Sequence, residues 1–383
     1  MSEIEYPYGI DPGPDRQVCL KHFSDYAIEK FITENGFWST CDYCQRTAKV
    51  VDLGQLAEFL IEAVQYFYSD PTNFASYNGR EGGFLVSTFD TNDILFDIFE
   101  LDIDLRRLDD DLREWFDSEA IWADESGYYG EGDQMLIYSW QALTNVAKEK
   151  LGQGIYNVVI DEYQGESVTI GHFLENLRKE IETLNLITIL NDKSQIFRGR
   201  THSEQIRPMQ ASDFASSPNP TQPNRMSRSG VSMFYGALDP QTAAMEIIEE
   251  NGPEYVSMAV FRPDSNLYLL DLTRMPTLPS RFDKKNRSRY FILDFLRQFA
   301  KDFSKPISRD GKQHVEYLPT QFMTQFFQKS EFLENRIDGI IYTSAKHSSG
   351  QCVVLFFDYM ESLKNLWFEK IYYSAISVDN FDL

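Results

Sequence analysis

The chain lacks what would place it in a membrane, on a phosphate loop or across a set of disulfides. No stretch approaches eighteen uninterrupted apolar residues, so a membrane span is not expected. Met1 to Tyr8 carries two glutamates and no basic region ahead of an apolar run, so no secretory leader is expected and the cytoplasm is the expected location. Only four cysteines occur, and in a cytosolic chain these suit metal ligation better than disulfides. There is no Gly-x-x-x-x-Gly-Lys pattern, no glycine fingerprint behind a first strand and no Gly-x-Ser-x-Gly elbow. These absences leave a P-loop, a doubly wound dinucleotide fold and a hydrolase of the serine-elbow type unsupported. Positive charge is scarce in one half: residues 1–190 hold 13 Lys+Arg against 36 Asp+Glu, whereas residues 191–383 hold 23 of each. The whole net charge of −23 therefore lies in the first half, and the step marks a domain boundary near 190. Such an acidic half repels phosphates, so non-specific nucleic-acid binding by it is disfavoured. Its charge would keep the protein dissolved or dock a basic protein.

What is present is enough apolar material for folded domains throughout, at 42% hydrophobic and 14% aromatic. A chain of 383 residues exceeds one typical core, so two domains are the default. Cys19-Leu20-Lys21-His22 is followed nineteen residues on by Cys41-Asp42-Tyr43-Cys44. Two short ligand pairs at that separation fit a structural zinc site of three thiolates and one imidazole, with His22 the weakest member. The plain alternative is reduced thiols and an ordinary histidine.

Periodicity predicts helices over 23–32, with Phe23, Tyr26, Ala27 and Phe31 on one face, and over 53–69, ended by Asp70-Pro71. Acidic helices are expected at 92–117 and 133–150, and a further one at 166–188. Residues 79–88 read as a glycine-rich loop, and Tyr-Gln-Gly between Glu162 and Glu166 as a turn between helices. Helical nucleases place an arginine and a histidine together on one helix, but Arg178 has only His172 on its N-terminal side. The second half predicts strands at 195–200, 231–237, 255–261, 267–272, 339–344 and 352–357. Its helices are expected over 240–250, opened by Asp239-Pro240, over 289–303 and over 317–327. The whole reads as α+β, with a zinc-binding module over 1–50, an acidic helical domain over 51–190 and a mixed domain over 191–383.

The chemistry-bearing residues lie at the ends of these short segments. Arg198, with Arg200 beside it, ends the first strand; Arg225 follows Asn224 in a polar loop before Gly230. Guanidinium groups grip a pyrophosphate with paired hydrogen bonds that lysine matches poorly. The same arginines would also serve the domain's own carboxylates. Tyr235 offers a ring to stack on a flat base and a hydroxyl for a ribose, or a satisfied core hydroxyl. Glu246, behind Ala243-Ala244, is placed to favour the positive charge of a breaking glycosidic bond, whereas Glu249 and Glu250 read as solvated charges. Ser344 ends a strand with no histidine at a spacing that would mark it as a nucleophile, His347 notwithstanding. His314, Tyr317, Thr320 and Gln321 form a polar cluster expected to line the same pocket.

Together these segments resemble the RES domain, the family named for Arg, Glu and Ser. The resemblance runs through Phe197-Arg198-Gly199-Arg200, Asn224-Arg225-Met226-Ser227 before Gly230, Phe234-Tyr235, Thr242-Ala243 with Glu246, and Asp338-Gly339-Ile340 with Tyr342 and Ser344. It implies an NAD-consuming fold related to ADP-ribosyltransferases, often the toxin of a toxin–antitoxin pair. On that pattern Arg198, Tyr235, Glu246 and Ser344 are catalytic, and Arg198, Arg225, Tyr235 and Ser344 bind NAD+. The chain departs from it where Asn224 and Met226 stand for a glycine and an aromatic around the loop arginine, and where Gln351 stands for an asparagine. The first half is similar to the cysteine-containing helical region of longer RES proteins, in which the position of His22 is often a second cysteine. The implied activity is NAD+ glycohydrolysis or phosphorolysis at the nicotinamide–ribose bond. The rivals are ADP-ribosyl transfer to a macromolecule, or a zinc-bearing interaction protein that binds a nucleotide without turnover. The implied partners are NAD+, an antitoxin or regulatory protein and a second copy of the chain, with no membrane and no nucleic acid.

Overall fold

The computed structural model describes residues 6–80, 82–123, 143–144, 147–148, 159–163, 166–203, 209–248, 255–305 and 316–375. The chain divides into two compact bodies. One takes in residues 1–138, 159–168 and 278–291, the other residues 139–158, 169–277 and 292–383.

The first body mixes helix and sheet. Gln17–Cys19 (β1), Phe37–Thr40 (β2) and Thr47–Asp52 (β3) form an antiparallel sheet in the order β1-β3-β2. Between β1 and β2 lies Tyr26–Asn35 (α1), begun by Asp25, whose carboxylate accepts the backbone N–H groups of Ala27 and Ile28. That cap moves the helix three residues beyond the expected 23–32. Its buried face becomes Ala27, Ile28 and Ile32, and Tyr26 stands exposed. Leu53–Phe67 (α2) follows β3 directly and buries Leu56, Leu60 and Val64 at helical spacing, as expected.

The single helix expected over 92–117 is instead a wide helical turn at Asp93–Ile98 and a separate helix, Arg106–Arg113 (α3). The break falls at Glu100, which takes a left-handed φ of 56°. Turning there lets Ile94 and Leu95 enter the same core as Leu108 and Leu112, which one straight helix of that length would hold apart. Thr88–Asp90 pairs with Ile121–Ala123, and the glycine-rich loop closes as a hairpin of Tyr77–Asn78 with Gly83–Phe84. Val159–Tyr163 and Glu166–Thr169 form a two-stranded sheet where helix ends were expected, in keeping with β-branched Val159, Ile160, Val168 and Thr169. The helix expected at 133–150 lies outside the described residues save for 143–144 and 147–148, which are helical. Phe282, from the 278–291 segment, is a buried member of this core beside Phe59 and Phe99.

The second body is built on one eight-stranded sheet. Its elements are Ile170–Thr183 (α4), Ile187–Leu190 (β4), Ile196–His202 (β5), Phe234–Ala237 (β6), Pro240–Ile247 (α5), Tyr255–Pro263 (β7) and Leu267–Asp271 (β8). There follow Arg289–Phe303 (α6), Leu318–Lys329 (α7), Gly339–Thr343 (β9), Gln351–Leu355 (β10), Tyr359–Asn365 (α8) and Leu366–Ala375 (β11). The strand order is β4-β8-β9-β10-β6-β5-β7-β11, antiparallel except for the parallel pair β8/β9. The six expected strands and three expected helices of this half are present. Strands β4 and β11, which form the sheet's two edges, were not expected. The helix expected to reach 188 stops at Thr183, and β-branched Ile187, Thr188 and Ile189 turn to pair with β8. Consecutive central strands bring Arg198, Tyr235, Tyr342 and Cys352 onto neighbouring positions of one sheet.

Candidate active site and candidate metal centre

A cavity of about 350 Å³ opens over the middle of this sheet, within the size range of small-molecule sites. Arg198, Arg200, Asn224, Arg225, Tyr235 and Glu246 all line it, so residues spread over some fifty positions of sequence converge on one space. Ser344 stands behind them, buried, with its hydroxyl donating to Glu246 Oε1.

Arg198 is not at a strand end but third in β5, opposite Ala259 of β7. Its side chain is 8% exposed and lies 4.6 Å over the Phe234 ring. Its Nε and Nη1 are buried with no hydrogen-bond partner, and no ion pair reaches it among the described residues. Burial, with Arg200 beside it and Tyr235 acting in the other direction, drives the guanidinium's pKa well below its usual value. A charge so placed wants an anion. Arg200 is differently employed, since its Nε and Nη2 donate to the backbone carbonyls of Asp213 (3.1 Å) and Ala215 (3.4 Å).

Gly199, between the two arginines, lies against the Ile247 side chain of α5, whose Cδ1 would have to move aside for any larger residue there. Small Ala243 and Ala244 complete the approach and are buried against Phe197, Val256 and Met258. Asp239 starts α5, its carboxylate accepting the Thr242 N–H at 2.7 Å, and Pro240 supplies the first turn. The far end is closed by Lys346, whose Nζ donates to the carbonyls of Glu246 (3.0 Å) and Ile248 (2.8 Å). Glu246 is thus carried on a helix fixed at both ends.

The loop arginine is held by its neighbours. Asn224 Oδ1 accepts the N–H groups of Met226 and Ser227, both at 2.9 Å, and the Tyr235 hydroxyl at 2.8 Å. Gln321 of α7 donates through Nε2 to the carbonyls of Asn224 (2.6 Å) and Ser227 (3.1 Å), and Thr320 donates to that of Arg225. The polar cluster expected to line the cavity therefore acts one step back. Thr320 and Gln321 are buried because the first turn of α7 faces the loop, Tyr317 lies under Arg225 at 4.9 Å, and His314 is outside the described residues. Arg225 Nε donates to the Lys305 carbonyl at 2.8 Å. Burial, opposed by hydrogen bonds to Ser227 and Asn224, raises the Tyr235 hydroxyl to about 12, so it stays a donor at neutral pH. Gln351, standing for the expected asparagine, donates to Thr273 Oγ1.

Sequence reasoning passed over Tyr342, Cys352, Phe303 and Lys305, which also line the cavity. Phe303 is buried, packed edge-on against Tyr342 at 5.2 Å. Tyr342 and Cys352 occupy alternate strand positions, and that inward register was the one available signal. The weak arginine–histidine pair of α4 is spent on the helix itself. His172 shares a capping box with Thr169, and Arg178 binds Glu175 at 2.8 Å and Glu182 at 2.7 Å.

In the first body Cys19, His22, Cys41 and Cys44 bring their ligand atoms within 4.8 Å of one another. Cys19 Sγ to Cys44 Sγ is 3.7 Å, and Cys41 Sγ to His22 Nε2 is 3.6 Å. A tetrahedral zinc with ordinary bond lengths has edges of about 3.8 Å between sulfurs and about 3.6 Å from sulfur to nitrogen. The donors fit that ion. His22 is buried, and its other nitrogen, Nδ1, meets Asp104 Oδ1 at 2.7 Å, an arrangement that fixes the ring with Nε2 toward the thiols. Burial holds the Cys19 thiol up at about 12. At Cys44 burial also acts upward, but the Arg46 backbone and the side chains of His22, Cys19 and Cys41 outweigh it and bring that thiol down to about 7. No helix among the described residues is long and apolar enough to cross a membrane.

Comparison with curated proteins and with solved structures gave no match. Two family models match: residues 34–151 the HEPN/RES N-terminal domain 1, and residues 196–363 the RES domain. The second match spans six of the sheet's eight strands and every cavity-lining residue named above, and the two matches together make the chain a RES-family protein with an N-terminal region of the family ahead of its RES domain.

Proposed function

We propose that the RES domain cleaves the nicotinamide–ribose bond of NAD+, delivering ADP-ribose to water or to inorganic phosphate, as a toxin or defence effector. RES domains are in general NAD-utilising enzymes of toxin type, which supports the substrate class. The observation that carries the reading is Arg198. Arg198, with two buried, unpartnered guanidinium nitrogens, and one carboxylate, Glu246, line the same cavity. An anionic substrate relieves that charge, and a pyrophosphate offers the oxygens to do it.

In this reading Arg198 and Arg225 hold the pyrophosphate, and the Tyr235 ring stands beside the nicotinamide. Its hydroxyl keeps Asn224, and so Arg225, in place. The nicotinamide leaves with the electron pair of the glycosidic bond and becomes neutral. The ribose left behind carries oxocarbenium-like charge, which the Glu246 carboxylate stabilises. Water or phosphate then adds at that carbon, and water gives up one proton. Ser344 acts on Glu246 by holding its carboxylate.

Purified full-length protein incubated with NAD+ should release nicotinamide and ADP-ribose, or ADP-ribose 1-phosphate where phosphate is supplied. Label from NAD+ appearing covalently on macromolecules of an extract would mark ADP-ribosyl transfer instead. Binding of NAD+ with no nicotinamide released in either medium would leave a nucleotide-binding protein. Zinc, held by Cys19, His22, Cys41 and Cys44, is assigned a structural role in the first body. An enzyme that depletes NAD+ needs a check, and the acidic first half is the candidate surface for a regulatory protein.

A further inference from the structure

The Glu246 carboxylate is gripped through one oxygen. Ser344 Oγ accepts the backbone N–H groups of Lys346 at 3.1 Å and His347 at 3.0 Å, so its single proton is left for Glu246 Oε1. The Cys352 sulfur lies 3.6 Å from the same Oε1. Oε2 takes no hydrogen bond among the described residues and is not among the buried unpartnered atoms. Cys352 is 2% exposed, and its place is set by the sheet: on β10 it sits between Ala237 of β6 and Tyr342 of β9. Burial, with the nearby Glu246 charge, pushes its thiol far up, so the sulfur keeps its proton at neutral pH. A protonated, inert sulfur in a cavity wall is a donor or a filler, and the distance to Oε1 favours the donor.

We propose that Cys352 is a second positioning residue for Glu246, its thiol proton sharing Oε1 with the Ser344 hydroxyl so that Oε2 is the oxygen offered to the substrate. The role in turnover rests on the reading of Glu246 given above; the hydrogen bond does not. Two donors converging on one oxygen from different strands fix the carboxylate's rotation, which a flexible side chain near the end of an eight-residue helix would not hold alone.

The test has two arms. Infrared spectra assign the Cys352 S–H stretch as the band lost in Cys352→Ser. That band should lie at a hydrogen-bonded frequency in the native protein and move to the free-thiol frequency in Glu246→Leu. In the second arm nicotinamide release is compared for Cys352→Val, which keeps the bulk without a donor, and Cys352→Ser, which keeps a donor. Losing one such hydrogen bond should lower kcat about 2–10-fold with KM little changed, and the serine should restore it. A free-thiol band in the native protein overturns the proposal. So does a valine variant with native kcat, or a serine variant as impaired as the valine, since that pattern marks packing alone. Native protein that releases no nicotinamide overturns the functional reading instead, and the infrared pair still decides whether the thiol holds Glu246.

Discussion

Replacing Arg198 by methionine should leave the protein at least as stable as before and weaken its hold on the substrate. The two effects have one cause. The side chain is 8% exposed, two of its nitrogens have no partner, and no carboxylate neutralises it among the described residues. Its compensation is the Phe234 face at 4.6 Å, worth about 1 kcal/mol for a cation so placed. Exchanging buried charge for apolar groups of similar shape commonly gains about 1–4 kcal/mol. After the lost ring contact, a net gain of about 0–3 kcal/mol remains. For a body of this size that is a rise of up to about 12 °C in the melting midpoint. Binding moves the other way: two charge-assisted hydrogen bonds lost at about 1.5–3 kcal/mol each should weaken NAD+ binding about 10²–10⁴-fold. Calorimetric melting of native protein and of Arg198→Met, each with and without NAD+, reads both terms. Native protein should gain about 2.7 kcal/mol when the ligand stands at a hundred times its Kd, and the variant about 0.4 kcal/mol or less at that concentration. A variant that melts lower than native protein, or shifts with NAD+ as far as native protein does, would mean that Arg198 is a structural cation and that the cavity is not built around it.

Glu246→Gln keeps the shape and removes the charge, so nicotinamide release should fall about 10²–10³-fold with the melting midpoint close to native; near-native turnover in a clean sample refutes the role. Asp104→Asn should loosen zinc about 10–100-fold, measured by competition with a chromogenic chelator, because the amide no longer holds the His22 ring through Nδ1; unchanged retention would make Asp104 a bystander. Gln321→Ala should raise KM for NAD+ several-fold while sparing kcat, since the Gln321 side chain hydrogen-bonds the loop that carries Arg225; a fall in kcat alone contradicts that. A chain begun at residue 191 should expose Phe282 and neighbouring aromatics, whose packing partners lie in residues 1–138. Dye-binding and light scattering should therefore report aggregation that the full chain does not show, and a monodisperse fragment would count against it.

Much of the second body was legible because its signals are local and strong. Asp239-Pro240 marks a helix start whatever surrounds it, and the unbroken apolar runs within 339–344 and 352–357 mark two buried strands. The Cys/His cluster that could hold zinc was legible from spacing alone. The first body was harder, because hydrophobic period 3.6 across 92–117 is satisfied equally by one helix or by two short ones folded on each other. The choice fell to the tertiary core around Leu95 and Leu108, which no local window contains. Asp104 shows the same limit from the other side. It is 82 residues from His22, in an acidic run where nothing distinguishes it from Asp102 or Asp109, yet it is the carboxylate that makes the histidine a fitting fourth donor.

The loop arginine shows how a departure from a family pattern can be compensated. A glycine ahead of Arg225 would allow a tight turn but bind nothing. Asn224 makes the turn by accepting two backbone N–H groups and uses the same oxygen to take the Tyr235 hydroxyl. Tyr235 is on the sheet, and Gln321 holds the loop's carbonyls from α7. The loop is thereby tied to two rigid elements at the residue next to the arginine, and what glycine would supply as freedom is replaced by restraint. An arginine already oriented loses less entropy on binding than a free one. Asn224→Gly should accordingly restore the family residue and still weaken NAD+ binding. The loss should be largest in the association entropy measured by titration calorimetry. If the glycine variant bound as tightly as native protein with unchanged entropy, the restraint would be incidental and Arg225 would be placed by its contact with the Lys305 carbonyl instead.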